Sequence, residues 1–212
     1  MRIIIRHELP TEYKEVENVT REAFWNLYVP GCSEHYLVHK MREHNDFLSI
    51  LDYVAIIDKK IVGNIMYVKS AILNELNEKI DTISFGPVSV LPEYQRKCIG
   101  SALLQHSIRE AKDKEYKAVI IEGYPKNYCK YGFKSSKDYT ISNIAGKYPY
   151  NLLVLPLVDG IFEGHTWKYV ESEVYNCDEN EVEKFDKQFV EKTKEYKYAQ
   201  EEFLISVRAY VE

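Results

Sequence analysis

Residues 83–104 read ISFGPVSVLPEYQRKCIGSALL, and this stretch decides the fold of the chain. It begins as an apolar run that is broken at Gly86-Pro87 and resumes as far as Val90. A turn follows, and residues 95–100 then lead into a segment with amphipathic spacing. The pattern predicts a strand, a short turn and the start of a helix.

The predicted helix start has the properties of an anion site. The first backbone N–H groups of a helix have no intrahelical partner and carry the positive end of the helix dipole. Gly100, Ser101 and Ala102 are small enough to let a bulky anion approach that backbone, and Arg96 and Lys97 add positive charge. The residues predict a phosphate site, but an ordinary strand–turn–helix unit fits this stretch alone about equally well.

The stretch resembles the acetyl-coenzyme A loop of the GCN5-related N-acetyltransferases, the GNAT family. Gln95 and Gly100 match the family pattern Gln/Arg-x-x-Gly-x-Gly/Ala, whereas Cys98 occupies the position of its first glycine. A Cβ there is tolerable in helical backbone and costly at positive φ, so Cys98 bears on pyrophosphate affinity more than on the fold. The resemblance implies that the coenzyme is held by Gln95, Arg96, Lys97, Cys98, Ile99, Gly100, Ser101 and Ala102.

Length and composition limit the fold and the partners. The 212 residues suggest one domain with or without an appendage, and the net charge of −5 argues against nucleic acid as the main partner. The four cysteines are widely spaced and form no C-x-x-C pair. With no signal peptide and no long apolar span, we expect a reduced, cytoplasmic protein without a membrane partner, acting as a monomer or homodimer.

Apolar periodicity predicts the element order β-α-α-β-β-β-α-β-α-β-β. Residues 53–57 and 61–68 are expected to form a hairpin, residues 73–79 a polar loop, and residues 118–122 a strand buried on both faces. This order is similar to that of the GNAT family over residues 2–158. The resemblance implies an α/β fold with a mixed, twisted central sheet of six to seven strands, a splayed parallel pair and flanking helices.

Because the resemblance ends near residue 158, the chain divides into a predicted N-acetyltransferase domain, 1–158, and a C-terminal extension, 159–212. Asp178 and Glu181 form a capping-box-like start for a helix with Phe185 on its apolar face. Residues 203–211 fit either a strand or a helix. Since an apolar face must be buried, we expect the extension to pack back on the domain.

Acyl transfer from a thioester to an amine needs a positioned thioester, a deprotonated amine and a proton for the departing thiolate. The resemblance implies that the pantetheine arm pairs with backbone groups of the splayed strand, here Val88, Ser89 and Val90. Gly86-Pro87 predicts a bulge at the splay because proline cannot donate to a ladder. An edge strand with a proline is the alternative.

Tyr128 is the candidate acid. The family often places a tyrosine four residues before the glycine of a Tyr-x-x-x-Gly-Phe pattern, which Tyr128 and Gly132-Phe133 match. A phenol with a pKa of about 10 stays protonated at neutral pH and can donate to a thiolate. A packing tyrosine is the alternative, and neighbouring Tyr131 is assigned only packing. Asn127 lies in a segment that replaces a commoner Asn-rich stretch of the family, and it is carried over as a candidate coenzyme contact.

Glu122, at the end of its strand, is the candidate base, acting through a bridging water. A strand-end carboxylate that caps the next turn is an equal alternative. His35, His39 and His44 lie close in sequence, but no third ligand stands at a definite spacing, so we expect solvated histidines and no metal. A covalent route through Cys129 is conceivable, although the family mostly transfers the acetyl group directly.

Two functions follow from these residues. The first is an acetyl-CoA-dependent N-acetyltransferase that acts by direct attack of an amine, on a small molecule or a protein, with acetyl-CoA as cosubstrate. The second is a non-catalytic acyl-CoA-binding or regulatory module. Cys98 and the unassigned base favour the binding module, whereas Gln95, Gly100 and Tyr128 favour the enzyme. We expect the enzyme. The resemblance implies that residues 28–34 help to shape the acceptor site.

Overall fold

The structure is a computed structural model that describes residues 2–212. Met1, the first residue of the predicted domain 1–158, lies outside the described residues. The strands are β1 Ile4–His7, β2 Tyr53–Ile57, β3 Lys60–Asn74, β4 Lys79–Val90, β5 Ala118–Glu122, β6 Lys134–Ser135, β7 Ile141–Ser142, β8 Leu152–Pro156 and β9 Trp167–Val170. The α-helices are α1 Tyr13–Phe24, α2 Glu34–Met41, α3 Ile99–Asp113, α4 Pro125–Tyr128, α5 Glu179–Asp186 and α6 Tyr198–Arg208.

The strands form one mixed sheet in the order β1-β2-β3-β4-β5-β8-β6. Every neighbouring pair along this path is antiparallel except β4 and β5, which are parallel. The short β9 lies antiparallel to β3, and β7 lies parallel to β9. The path confirms the predicted mixed sheet with its parallel pair and flanking helices, and β7 and β9 extend it.

Two successive residues of β3 show that α1 and α3 cover opposite faces of the sheet. Thr20 of α1 donates a hydrogen bond of 3.1 Å from its hydroxyl to the Asn64 side chain. The preceding residue, Gly63, faces α3, where a Cβ would lie 3.3 Å from the side chain of Leu103. Because successive residues of a strand point to opposite faces, the central strands are buried between the two helices.

The segment after β8 supplies a second apolar core. Phe162, Trp167 and Tyr169 pack with Ile72 of β3 and Ile120 of β5 in one buried cluster. The residues that alternate with Ile120 belong instead to the larger core shared with α3. Residues from the predicted extension therefore bury one face of β5, while the main core buries the other.

The predicted polar loop at residues 73–79 is confirmed only at residues 75–78. Strand β3 continues to Asn74 and β4 begins at Lys79, so only four residues join them. The hairpin of β3 and β4 is longer than predicted because Ala71 to Asn74 of β3 also pair, on their other side, with β9. A partner so distant in the sequence gives no local signal, whereas backbone pairing on both sides stabilises the strand.

The remaining chain contains two helices that pack on the N-terminal elements. The side chain of Asp178 accepts hydrogen bonds from the backbone of Asn180 and Glu181, which confirms the predicted start of α5. Residues 203–208 are helical and belong to α6, which decides between strand and helix. No helix within residues 2–212 has the length and apolar character needed to cross a membrane.

Candidate active site

The start of α3 presents backbone amides to an open cavity. Cys98, the residue that caps this helix, has φ 62° and ψ 12°, so it adopts the left-handed conformation that favours glycine. The first intrahelical bond runs from the amide of Ala102 to the carbonyl of Cys98, over 2.9 Å. The amides of Ile99, Gly100 and Ser101 precede that bond and belong to the first turn, where amides have no intrahelical partner.

Strand β4 diverges from β5 just before this helix. The parallel register joins only Ile83 to Val119, although β4 continues to Val90. On the other side of β4, the register with β3 shifts across Gly86-Pro87, and this shift confirms the predicted bulge. The Gly86-Pro87 peptide bond is cis. The end of β4 stays paired with β3, and the divergence leaves its other edge facing a cavity instead of β5.

The cavity has a volume of about 580 Å³ and brings most of the predicted residues together. Ser89, Lys97 and Ala102 do not line it. The hydroxyl of Ser89 donates to Thr20 beneath the sheet, and the ammonium group of Lys97 donates to the carbonyl of Glu93. The predicted residues that do line the cavity are Val88, Val90, Gln95, Arg96, Cys98, Ile99, Gly100, Ser101, Glu122, Asn127 and Tyr128.

Tyr128 ends α4 and packs its ring between Phe85 and Phe133, with ring centroids 5.7 and 5.9 Å away. Gly123 allows this position, since a Cβ there would lie 2.5 Å from a ring carbon of Tyr128. Burial, with smaller contributions from the phenols of Tyr28 and Tyr131, raises the pKa of Tyr128 above its ordinary value. The phenol is therefore protonated at neutral pH and lies beside the diverging end of β4.

Tyr131 has a role that the sequence analysis missed. Its hydroxyl donates a hydrogen bond of 2.6 Å to the hydroxyl of Ser101, in the first turn of α3. The assignment to packing alone is therefore wrong. Gly132 follows with φ 95° and ends the short helical turn, as predicted.

Glu122 lies at the end of β5, opposite Leu152 in the register with β8. Its side chain lines the cavity, and desolvation raises the pKa of the carboxyl group. The next residue, Gly123, donates its amide to the carbonyl of Asn151, over 2.8 Å. A carboxylate with a raised pKa, within a cavity that also holds a protonated phenol, can exchange protons with a bound amine.

Comparison with known proteins identifies the family. The family model described as Acetyltransferase (GNAT) family matches residues 21–130, which is more than half of the chain. The chain belongs to the GNAT acetyltransferase family. No curated protein matches its sequence.

Solved structures of GNAT proteins share the fold. A GNAT family N-acetyltransferase (YhbS) from Escherichia coli in complex with CoA superposes with a TM-score of 0.71 at 21% identity, covering 83% of this chain and 93% of that one. A GNAT family acetyltransferase from Brucella melitensis in complex with acetyl-CoA gives 0.65 at 20% identity, covering 82% and 99%. An acetyltransferase of the GNAT family from Staphylococcus aureus Mu50 gives 0.53 at 16% identity, covering 74% and 100%. These likenesses establish the GNAT fold of this chain.

Within residues 28–34, the sequence did not single out Glu34, the first residue of α2. Glu34 lines the cavity, and burial raises the pKa of its carboxyl group to about 7. Phe203 and Val207 of α6 line the same cavity, as does Tyr28. The family resemblance implied a role for residues 28–34, but no pattern in the sequence connects them to α6.

The three neighbouring histidines have different surroundings, and the prediction that all are solvated is wrong. His35 is fully buried with its Nε2 3.0 Å from Asp186, whereas His39 is exposed and lies 2.9 Å from Glu17. Burial lowers the pKa of His35 to about 4. No group of three or more side chains suited to a metal ion occurs within residues 2–212.

Proposed function

We propose that this GNAT chain is an N-acetyltransferase that transfers an acetyl group from acetyl-CoA to the amine of an acceptor. The observation that carries the proposal is the single cavity that joins the first turn of α3, the diverging end of β4 and Tyr128. These are the three elements that thioester positioning and thiolate protonation require. The CoA and acetyl-CoA bound in solved GNAT structures give further support.

The coenzyme is proposed to lie along the residues named from the sequence. The amides of Ile99, Gly100 and Ser101 suit the pyrophosphate because they are free donors at the positive end of a 15-residue helix. Arg96 lines the same cavity and adds charge. Backbone groups from Val88 to Val90 would receive the pantetheine arm as an added strand.

The chemistry is proposed to be direct transfer. Acetyl-CoA supplies an acyl group on a thioester, and the acceptor nitrogen forms the new C–N bond as the C–S bond breaks. Glu122 accepts a proton from the attacking amine, through a bridging water, and Tyr128 donates its proton to the departing thiolate. The proton that the amide nitrogen then loses restores the phenol, so that transfer from an ammonium ion releases one proton to solvent.

A second candidate function is a non-catalytic acyl-CoA-binding module. The observation that favours it is Cys98, whose left-handed conformation carries a side chain where the family usually has glycine.

We also propose that the two parts of the chain have different roles. Residues 1–158 carry the coenzyme site, and residues 159–212 close the end of the cavity that receives the acceptor.

The test is a binding and turnover measurement on the full chain. Acetyl-CoA is expected to raise the melting temperature and to give a calorimetric binding signal, since a ligand specific for the folded state stabilises it. Turnover is measured as thiol release over a panel of amines. If coenzyme binds but no amine releases thiol, the binding-module alternative replaces the enzyme; without coenzyme binding, both functions are wrong.

We further propose that the protein works in the cytoplasm, as a monomer or homodimer. The free thiols of Cys32, Cys98, Cys129 and Cys177 support a reducing compartment. Mass measurement of the purified chain in solution tests the oligomeric state. Fractionation of cells that express it tests the location.

A further inference from the structure

The cavity has a second set of lining residues that coenzyme binding does not require. They come from α1, from the segment between α1 and α2, from the first residue of α2, and from α6 near the end of the chain. We call this set the acceptor chamber, and it consists of Phe24, Leu27, Tyr28, Glu34, Phe203 and Val207. Five of its six members are apolar or aromatic, and the sixth is a carboxylate.

We propose that the acceptor chamber binds a small monoamine, with its ammonium group paired to Glu34 and its apolar body packed on the aromatic rings. The proposal rests on the proposed N-acetyltransferase function and names the class of its acceptor. It distinguishes an alkyl or arylalkyl amine from a polyamine, an amino alcohol and a lysine on a protein surface.

The aromatic wall suits an apolar body that carries a positive charge. Tyr28 and Phe203 are stacked with ring centroids 4.5 Å apart, and Phe24 lies 5.8 Å from Tyr28. Such rings contribute large apolar contact area, and their faces attract an ammonium group. A polyhydroxylated acceptor would lose hydrogen bonds to water at this wall without replacing them.

Helix α6 is fixed at both ends. Near its start, the side-chain amide of Gln200 donates to the carbonyl of Asn26, over 3.1 Å. Beyond its other end, Tyr150 donates its amide to Ala209 over 2.9 Å, and Val211 donates to Tyr148 over 2.8 Å. With both ends tied, α6 is a wall of the chamber, and its presence favours a small amine over the surface of a folded protein.

Glu34 is the one carboxylate among the chamber residues, which favours a single positive charge in the acceptor. One of its oxygens accepts the backbone N–H of Ser33, over 3.0 Å, and this bond fixes the carboxylate at the start of α2. The titratable groups that face it are Tyr28, Cys32 and Cys177, whose pKa values are all raised, so they stay neutral near pH 7. An ammonium ion therefore pairs with Glu34 at this wall, and its proton passes to Glu122, through the bridging water, before the nitrogen attacks the thioester.

The experiment measures amine binding apart from turnover. Phenethylamine is titrated by calorimetry into the full chain saturated with CoA, with phenethyl alcohol as the neutral control. We expect the amine to bind at pH 8 and the alcohol to bind at least about tenfold more weakly. Affinity for the amine is expected to fall as the pH drops below about 7, because protonation neutralises Glu34.

Variants assign the effect. Glu34→Gln should weaken amine binding at least about tenfold and reduce its pH dependence, with CoA affinity unchanged. Glu43→Gln is the matched control, because Glu43 is an exposed carboxylate that does not line the cavity, and the pH dependence of amine binding should persist in it. Phe203→Leu should weaken the binding of phenethylamine more than that of methylamine. The melting curve of this variant shows whether α6 remains folded.

Three results would overturn the assignment: equal amine affinity in Glu34→Gln and the unaltered chain, equal affinity for the alcohol and the amine, or no amine binding at all. Faster acetylation of spermidine, ethanolamine or a lysine peptide than of phenethylamine would also overturn it, while leaving the acetyltransferase function intact. If amine binding depends on Glu34 but no thiol is released, the acceptor chamber is supported and the proposed acetyl transfer is refuted.

Discussion

Replacing Cys98 with glycine tests how the loop before α3 is built. Cys98 has φ 62°, and a residue with a Cβ costs roughly 1–2 kcal/mol in the left-handed conformation. Glycine removes that cost but loses about 0.5–1 kcal/mol more conformational entropy on folding. We therefore expect Cys98→Gly to raise the free energy of unfolding by about 0.5–1 kcal/mol. For a chain of this size that corresponds to a rise in melting temperature of about 1–4 °C.

The assay combines urea denaturation with acetyl-CoA titration. Cys98→Ala is the matched control, because alanine removes the thiol and keeps the Cβ, and its stability should stay near that of the unaltered chain. Coenzyme affinity should be equal or tighter in Cys98→Gly, since glycine keeps the left-handed turn that precedes the free amides. The reasoning fails if Cys98→Gly is no more stable than Cys98→Ala. A loss of coenzyme affinity in both variants would show that the thiol itself contacts the ligand.

Three further predictions concern separate parts of the molecule. Tyr128→Phe should lower turnover on an identified acceptor by roughly two to four orders of magnitude at unchanged coenzyme affinity, and near-full turnover would remove the acid assignment. Asp186→Ala should lower the free energy of unfolding in urea by about 3 kcal/mol, because it leaves the buried guanidinium of Arg21, now 2.6 Å from that carboxylate, without its partner; a change under about 1 kcal/mol would contradict this. Burial and the carboxylate of Glu8 raise the pKa of Asp52 above its ordinary value, so the folded chain holds a proton that the unfolded chain releases above about pH 4. Stability should therefore fall as the pH rises from about 4 towards the raised pKa, by up to about 1.4 kcal/mol per pH unit, and Asp52→Asn should reduce that slope; equal slopes would refute the argument.

The part of the site that could be predicted from sequence is the part that is local in sequence. The strand, the bulge at Gly86-Pro87 and the start of α3 at Ile99 lie within one stretch, and their turn chemistry and spacing were enough to place them. Tyr128 was carried over from the family resemblance, by its spacing to Gly132, and its contact with Gly123 was not predicted. A close approach of backbone to a ring leaves no periodic pattern.

The predictions that were wrong or missing concern residues whose contacts are far away in the sequence. His35 was predicted to be solvated, but its partner Asp186 belongs to a helix near the other end of the chain. The same distance hid the stack of Tyr28 on Phe203. Periodicity shows that a face is apolar, and it does not show which distant segment covers that face.

The second apolar core has a consequence for how the chain is made. Ile72 and Ile120 are synthesised well before Trp167 and Tyr169, which bury them. A chain growing on the ribosome therefore carries an uncovered, β-rich surface until its last quarter emerges, and such surfaces are prone to aggregation. Completion of the sheet waits for β9 to insert beside β3, a pairing of high sequence separation that slows folding. We expect folding to finish only after β9 has emerged, and chaperones that shield nascent chains to raise its yield.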